Sequence, residues 1–427
     1  MKTNDLTWSD LVTSASRLDA DDPLREFNTQ FYRADPEEIY LDGNSLGRLP
    51  LESQRMMKEI VQNQWGEGLI RSWGERWYDA PTRIGDKLAG LIGALPGEVI
   101  LADSTTINLF KLVMSALAIH PDRKTVISDV LNFPTDLYTI RGALQLLDRG
   151  HRLTLLDSKE GIQISLDDYQ QALNGETALV TFSTPTFKSG YVHEIQRMTE
   201  MAHQAGALVL WDFSHAVGVL PLDVSGWDVD FAVGCTYKYL NGGPGSPAFM
   251  YVNGKHLEKI GHQPLGWWGH RTPFAFDLDY QPADSIRRLL SGTPPILSLL
   301  PVEFGVDLTV KASVETIRNK SMLLGRLFIR AFDAHLADLG YQLGSPRDEN
   351  RRGGHISIRH PDAYRIYQAL TRELKLMPDF REPDNIRLGF APLYTSFSDV
   401  LEAVSRLARA VEDQMYEKYT LARAKVT

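Results

Sequence analysis

The stretch ALVLWDFSHAVGVLPLDVSGWDVDFAVGCTYKYLNGGPG, residues 207–245, decides the fold. Within it two short apolar runs, ALVLWD (207–212) and VDFAVGC (229–235), read as buried strands, and each gives way to a loop at its carboxyl end. Asp212 closes the first run and Lys238 follows the second, 26 residues later. Parallel strands need a crossover of about this length, so both side chains come to one edge of a sheet.

The same alternation extends outward. VILAD (99–103) precedes TTINLFKLVMSALAIH, TVISDV (125–130) precedes TDLYTIRGALQLL, and RLTLLD (152–157) and ALVTFS (178–183) precede EIQRMTEMAHQAG. Strand followed by amphipathic helix, repeated, predicts a mostly parallel sheet covered on both faces, with ligands collecting at the carboxyl ends of its strands. Beyond about residue 300 long helical stretches take over, SVETIRNKSMLLGRLFIRAFDAHL (313–336) and SFSDVLEAVSRLARAVEDQMYEKY (396–419), interrupted by HISIRH and NIRLGF. The expected organisation is a large α/β domain over 61–305, a smaller α+β domain over 306–427, and an N-terminal segment, 1–60. The first fifty residues read as irregular, and the turn-rich YLDGNSLGRLP (40–50) either caps the C-terminal unit or lines a cleft between the two.

Composition narrows the function. The 427 residues carry a net charge of −9, from 45 basic and 54 acidic side chains, with no concentrated Lys/Arg stripe, which argues against nucleic acid or an anionic membrane as partner. Cys235 is the only cysteine, so no intrachain disulfide and no cysteine-based metal site can form. His262 and His270 have no adjacent cysteine or carboxylate cluster, and no metal is expected. The N-terminal MKTNDLTWSDLVTSASRLDADD lacks the apolar core of a signal peptide, and no run of 18 apolar residues occurs. The expectation is a cytoplasmic protein that acts on small molecules.

A carboxylate and a lysine at neighbouring strand ends meet the needs of pyridoxal 5'-phosphate. The amine condenses with the aldehyde, and the carboxylate holds the pyridine nitrogen protonated. Taken singly, Asp212 reads as a helix cap and Lys238 as a solvated loop residue. What joins them to the cofactor is a phosphate site in DSTTINLFK (103–111), where a strand stops, Ser104, Thr105 and Thr106 follow, and a helix begins. Three hydroxyl residues in a row exceed what an N-cap uses. The NGGPG loop is not a nucleotide-binding P-loop, since no Gly-Lys-Ser/Thr follows. Phe133 and His215 stand at strand ends where they can stack on a ring or brace its carboxylate partner. Cys235, three residues before the lysine in a strand, is poorly placed for the mobile thiol of a cysteine desulfurase.

Eight blocks in order, YLDGNSLG, STTINLFK, NFPTD, DFSHAVG, GCTYKYLNGGPG, GWWGH, TPPILSL and REPDNIRLGFAPLY, span about 350 residues, and on them the chain resembles the bacterial kynureninases. The resemblance implies a fold type I (aspartate-aminotransferase-like) pyridoxal phosphate enzyme of tryptophan catabolism. It implies a homodimer, with active sites at the interface, that cleaves L-kynurenine with water to anthranilate and L-alanine. By position, Lys238 resembles the lysine that condenses with the cofactor, and Asp212 the partner of the pyridine nitrogen with His215 beside it. Thr105 and Thr106 match phosphate contacts, Phe133 and Asp136 a ring-contacting segment, and Ser183 a residue near the ring. Tyr237 and Trp267 match phosphate ligands, Tyr237 being also the candidate proton donor, and Thr293 matches a phosphate contact from the partner subunit. Arg387 resembles the arginine that grips the substrate α-carboxylate, and Asn44 and Ser45 are assigned to the substrate with it.

Two blocks depart from the family pattern: GWWGH stands where GWFGH is usual, and STPTFKSG (183–190) carries an added proline. Both bear on which aryl group is preferred, kynurenine or its 3-hydroxy derivative, rather than on cofactor chemistry. Two other readings stay open on sequence. One is a different pyridoxal phosphate enzyme, an aminotransferase or lyase of a related aryl amino acid. The other is a catalytically silent dimeric scaffold.

Overall fold

In the computed structural model, which describes residues 7–261 and 264–422, a short strand β1 (Ile39–Tyr40) precedes a seven-stranded sheet. His262 lies outside the described residues. The sheet comprises β2 (Val99–Ala102), β3 (Thr125–Asp129), β4 (Arg152–Leu156), β5 (Thr177–Ser183), β6 (Leu208–Asp212), β7 (Phe231–Gly234) and β8 (Ala248–Val252) in the order β2-β8-β7-β6-β5-β3-β4. Only β8 runs against the others.

Every residue of β5 to β8 is buried, which is why these strands read as continuous apolar runs instead of alternating ones. The edge strand β4 alternates between exposed and partly buried positions. Helix Thr105–Ile119 covers one face through Leu109, Leu112, Val113 and Ala116, packed with Ile100, Val126, Leu210 and Val233. The opposite face meets Ile84 and Leu88 of helix Ala80–Ile92, and Leu299 and Val302 of helix Ile296–Ala312.

A second, antiparallel sheet holds β9 (Gln342–Leu343), β10 (His355–Arg359), β12 (Asp379–Arg381) and β13 (Asn385–Gly389) in the order β12-β13-β10-β9, while β11 (Leu376–Met377) pairs with β1. Helices Val314–His335, Ala363–Arg372 and Phe397–Glu412 share its core.

Three elements differ from the sequence expectation. The N-terminal stretch carries a helix, Trp8–Ala20, started by a reciprocal Thr7–Asp10 capping box; it buries only Leu11 and Ala15, so its apolar periodicity is faint. The last helix stops at Glu412 instead of running to 419, because Gln414 takes a left-handed φ of 54°. Strand β8 was not anticipated, since its apolar run emerges directly from the glycine-rich loop. The N-terminal segment does both things left open for it: Leu11, Ala15, Ile39 and Leu41 join the core of the second sheet, and Asn44 and Ser45 reach a cavity beside the first.

At the amino end of β7, the buried Asp230 carboxylate accepts from His203 Nε2 (2.8 Å), His256 Nε2 (2.6 Å) and the Val209 amide (2.9 Å). Burial alone raises its pKa, but the two histidine bonds, aided by the charges of His203 and Lys255, outweigh that and hold it below the ordinary carboxylate range. A depressed folded pKa contributes stability above the unfolded value, about 4, that is lost as pH falls through the folded value. Asp230→Asn is therefore expected to cost about 1.5–3 kcal/mol at neutral pH. In urea denaturation at stepped pH, the gap to the parent should stay constant down to about pH 4 and close below it.

Candidate active site

A cavity of about 560 Å³ opens at the carboxyl ends of β2, β6 and β7. The register that builds it is direct: β6 pairs with β5 through Asp212 opposite Ser183 and with β7 through Asp212 opposite Val233, so Lys238 follows one strand over. Asp212 is almost fully buried, at 4% exposure. Its Oδ1 accepts from the Ser214 amide (2.8 Å) and the Ser214 hydroxyl (2.6 Å), and Ser183 Oγ donates to Oδ2 (3.4 Å). Such an Asx turn fixes the carboxylate plane, and Asp212 lines the cavity.

Lys238 Nζ lies 3.0 Å from His215 Nε2. Burial, then the nearby Lys238 charge, push the His215 pKa well down, so the imidazole is neutral beside the amine. His355 stands behind it, ring centroids 5.6 Å apart, and burial followed by the Arg387 charge bring its pKa down to about 3. Asp136 is buried against Asp212; burial and then the Asp212 charge raise its pKa well above the carboxylate range. Tyr237 has its phenol pKa raised by the Cys235 thiol and by burial.

On the small-sheet side, Arg387 reaches in from β13. Its Nη1 donates to the Phe187 carbonyl (2.5 Å), and Nη2 donates to Ser45 Oγ (3.1 Å) and to the Asp379 carboxylate. Burial lowers its pKa to about 10. Arg381 Nη1 meets the other Asp379 oxygen at 2.8 Å, so one carboxylate bridges two guanidinium groups. The Asn44 side chain is wholly buried, and neither amide atom has a partner among the described residues. A Cβ at Gly389 would lie 1.9 Å from Asn44 Oδ1, so glycine is required there for the two segments to meet.

The structure thus gathers Asn44, Ser45, Thr105, Thr106, Phe133, Asp136, Asp212, His215, Tyr237, Lys238 and Arg387 around one cavity. Ser183 sits behind Asp212 and does not line it. Trp267 and Thr293 are exposed and stand away from this cavity. Of the glycines after Lys238, Gly243 (φ 90°) and Gly245 (φ 74°) serve turn geometry, and a Cβ at Gly242 would lie 2.8 Å from the Thr236 carbonyl oxygen. Sequence reasoning missed Asp103, Ser214, Asp379 and Arg381. Ser214 was legible as the third residue of an Asp-x-Ser turn; Asp379 and Arg381 went unread because their approach to Arg387 depends on the antiparallel pairing of β12 with β13.

The lining fits pyridoxal phosphate. Lys238 offers the amine, Asp212 the carboxylate, and Phe133, edge-on to Phe187 at 5.3 Å, a partly exposed ring face. The Ser104-capped start of helix Thr105–Ile119 offers backbone donors and the Thr105 and Thr106 hydroxyls, which have no side-chain partner among the described residues. Orphaned buried atoms at His215 Nδ1, Asn44 and Arg387 Nε mark the wall as built for a polar ligand.

Comparison of folds agrees. The structure superposes on a cysteine desulfurase from Thermococcus onnurineus (TM-score 0.76, 17% identity, 93% of this chain and 98% of that one). It also superposes on the cysteine desulfurase CsdA from Escherichia coli (TM-score 0.78, 17% identity, 91% and 98%). Fold and site together define a pyridoxal-phosphate-dependent enzyme of fold type I. In sequence, the chain is 43% identical over 420 residues to a kynureninase from Burkholderia pseudomallei, covering 97% of this chain and 99% of that one. It is 41% identical over 401 residues to a kynureninase from Pseudomonas fluorescens, covering 92% and 94%. A kynureninase C-terminal domain model matches residues 317–407. The chain belongs to the kynureninase family.

Because Ser214 Oγ both donates to Asp212 and accepts from the Cys235 amide (3.1 Å), Ser214→Ala leaves a buried donor unpaired. The expected loss is about 1–3 kcal/mol, read from the urea midpoint.

Proposed function

We propose that this protein hydrolyses L-kynurenine, and its 3-hydroxy derivative, to anthranilate or 3-hydroxyanthranilate and L-alanine with pyridoxal phosphate as cofactor. The single observation that carries this reading is the convergence of Lys238, Asp212 and Arg387, from both sheets, on one cavity in a chain of this family. Bound pyridoxal phosphate would supply an electron-withdrawing ring conjugated with the substrate α-carbon. Asp212, fixed by Ser214, holds a proton at the ring nitrogen. Lys238 Nζ, beside a neutral His215, takes the α-proton and gives it back. Arg387, with Ser45 and Asn44, binds the α-carboxylate in the geometry a guanidinium allows, and Asp379 keeps that guanidinium aligned. Tyr237 keeps its phenolic proton through the neutral range, since its pKa is raised, and is the donor in the steps after carbon–carbon cleavage.

A buried Cys235, 3.7 Å from the Ser214 carbonyl with its thiol pKa raised by burial, speaks against the sulfur transfer named for the fold neighbours. We further read residues 61–305 as the cofactor-binding domain, flanked by 1–60 and 306–427. The working form is taken to be a cytoplasmic homodimer. Support for the dimer comes from exposed Leu265, Trp267, Phe274, Phe276 and Leu278, an apolar run beside the exposed Thr293, which together suit a subunit interface that carries phosphate contacts to a neighbouring site. Among the described residues no helix is long and apolar enough to cross a membrane.

With L-kynurenine and pyridoxal phosphate but no keto-acid acceptor, the protein should release anthranilate and alanine in equal amounts. Lys238→Ala should slow this by roughly 10²–10⁴-fold. Turnover that needs a keto acid would instead identify an aminotransferase, and no turnover together with no cofactor uptake would identify a silent scaffold. Sedimentation velocity should give twice the 48.0 kDa chain mass, and a monomer at micromolar concentration would remove the interface reading.

A further inference from the structure

Lys111 lies on helix Thr105–Ile119, within two turns of its amino end, and is wholly buried. An ammonium in that setting is strongly disfavoured without compensation, so its two partners define its purpose. Nζ donates to Asp103 Oδ2 and to the Leu289 carbonyl, both at 2.7 Å. Asp103 closes the turn after β2 with a left-handed φ of 43°, and its backbone oxygen accepts from the Ala248 amide of β8. Its carboxylate lines the cavity beside Ser104, Thr105 and Thr106. That is the wrong sign of charge next to a helix terminus that is to receive a phosphate. The cations that line the cavity are committed elsewhere, Lys238 to His215 and Arg381 and Arg387 to Asp379. Leu289, at the end of the turn Ile286–Leu289, stands four residues before Thr293.

We propose that Lys111 is a positioning residue for the cofactor phosphate: its ammonium neutralises Asp103, so that a dianion can settle on the Ser104–Thr106 turn, and it ties the Leu289–Thr293 segment to the same helix. This rests on the phosphate site of the function proposed above. Lys111 does not line the cavity and touches no ligand; it acts through Asp103 and Leu289. A purely structural lysine would stabilise the fold without distinguishing a phosphorylated ligand from an unphosphorylated one.

The test is equilibrium binding of pyridoxal phosphate and of pyridoxal, by absorbance titration of the full-length protein freed of cofactor. Lys111→Met should weaken pyridoxal phosphate by about tenfold or more, roughly 1.4 kcal/mol per tenfold, and leave pyridoxal affinity as in the parent. Adding Asp103→Asn to Lys111→Met should restore most of the loss. Asp103→Asn alone, a residue that accepts a left-handed φ, should bind pyridoxal phosphate at least as tightly as the parent. That variant keeps the question decidable if Lys111→Met does not fold. The inference is overturned if Lys111→Met binds pyridoxal phosphate like the parent, loses both ligands equally, or is not rescued by Asp103→Asn. It is equally overturned if Asp103→Asn alone weakens binding. A parent that holds pyridoxal as tightly as its phosphate ester would sink the phosphate site itself, and the inference with it.

Discussion

The carboxylate of Asp212 has left water at the end of a central strand, and what compensates it organises the site. A buried anion costs several kcal/mol unless donors or an opposite charge replace its hydration. Here the protein provides neutral donors, the Ser214 amide and hydroxyl and the Ser183 hydroxyl, and no Lys or Arg bridges to it among the described residues. Asp136, pressed against it, has its pKa pushed well up, first by burial and then by the Asp212 charge. The compensation is therefore incomplete in a particular direction: the carboxylate still calls for a cation, and a protonated ring nitrogen is one that a pyridine ring can become. The demand of Asp212 and the electron-accepting role of the ring are the same electrostatic fact seen from two sides.

The second half of the site depends on chain segments that have little sequence proximity. Gly47 donates its amide to the Tyr237 carbonyl at 2.7 Å, and Gly389 donates to the Leu41 carbonyl at 2.7 Å, so residues 41–47 are stitched to the lysine loop on one side and to β13 on the other. Through this strap Ser45 meets Arg387, and the buried Asn44 amide faces the same wall. Arg387 is in turn oriented by Asp379 two strand positions from Arg381. Under the proposed function, a substrate carboxylate bound here would share the guanidinium with Asp379, which favours a ligand that can also use Ser45 and Asn44.

Much of this was readable in the sequence, for identifiable reasons. Asp212 and Lys238 were legible because strand periodicity and crossover length fix which edge they share, and Thr105 and Thr106 because a hydroxyl run at a strand-to-helix junction has few other uses. The helix Trp8–Ala20 was hidden by its shallow apolar face, and the end of the last helix by a left-handed residue, Gln414, whose identity does not announce it. Asp379, Arg381 and Lys111 escaped for a different reason. Their roles come from contacts across 8 to 178 residues of chain, formed only when β12 pairs with β13 or when helix Thr105–Ile119 meets Leu289. Trp267 and Thr293, named from resemblance, do not line the cavity within one chain.

Fold alone does not choose the reaction. Cysteine desulfurases superpose on this chain with TM-scores of 0.76 and 0.78 at 17% identity. What separates the chemistries is which reactive group the wall presents to the bond being broken. A thiol that attacks sulfur must be mobile and easily ionised, whereas Cys235, directly after β7, has its amide and sulfur both engaged with Ser214, and burial raises its pKa. Carbon–carbon hydrolysis asks for something else: a base that can hand a proton on and off, a donor that stays protonated at neutral pH, and a firm grip on the α-carboxylate. In the function proposed above, Lys238 beside a neutral imidazole, Tyr237 with its raised pKa, and Arg387 braced by Asp379 are the groups assigned to those three needs. Burial raises the Cys235 thiol pKa, and the neighbouring Cys235, followed by burial, raises that of the Tyr237 phenol, so both groups are held toward their protonated forms.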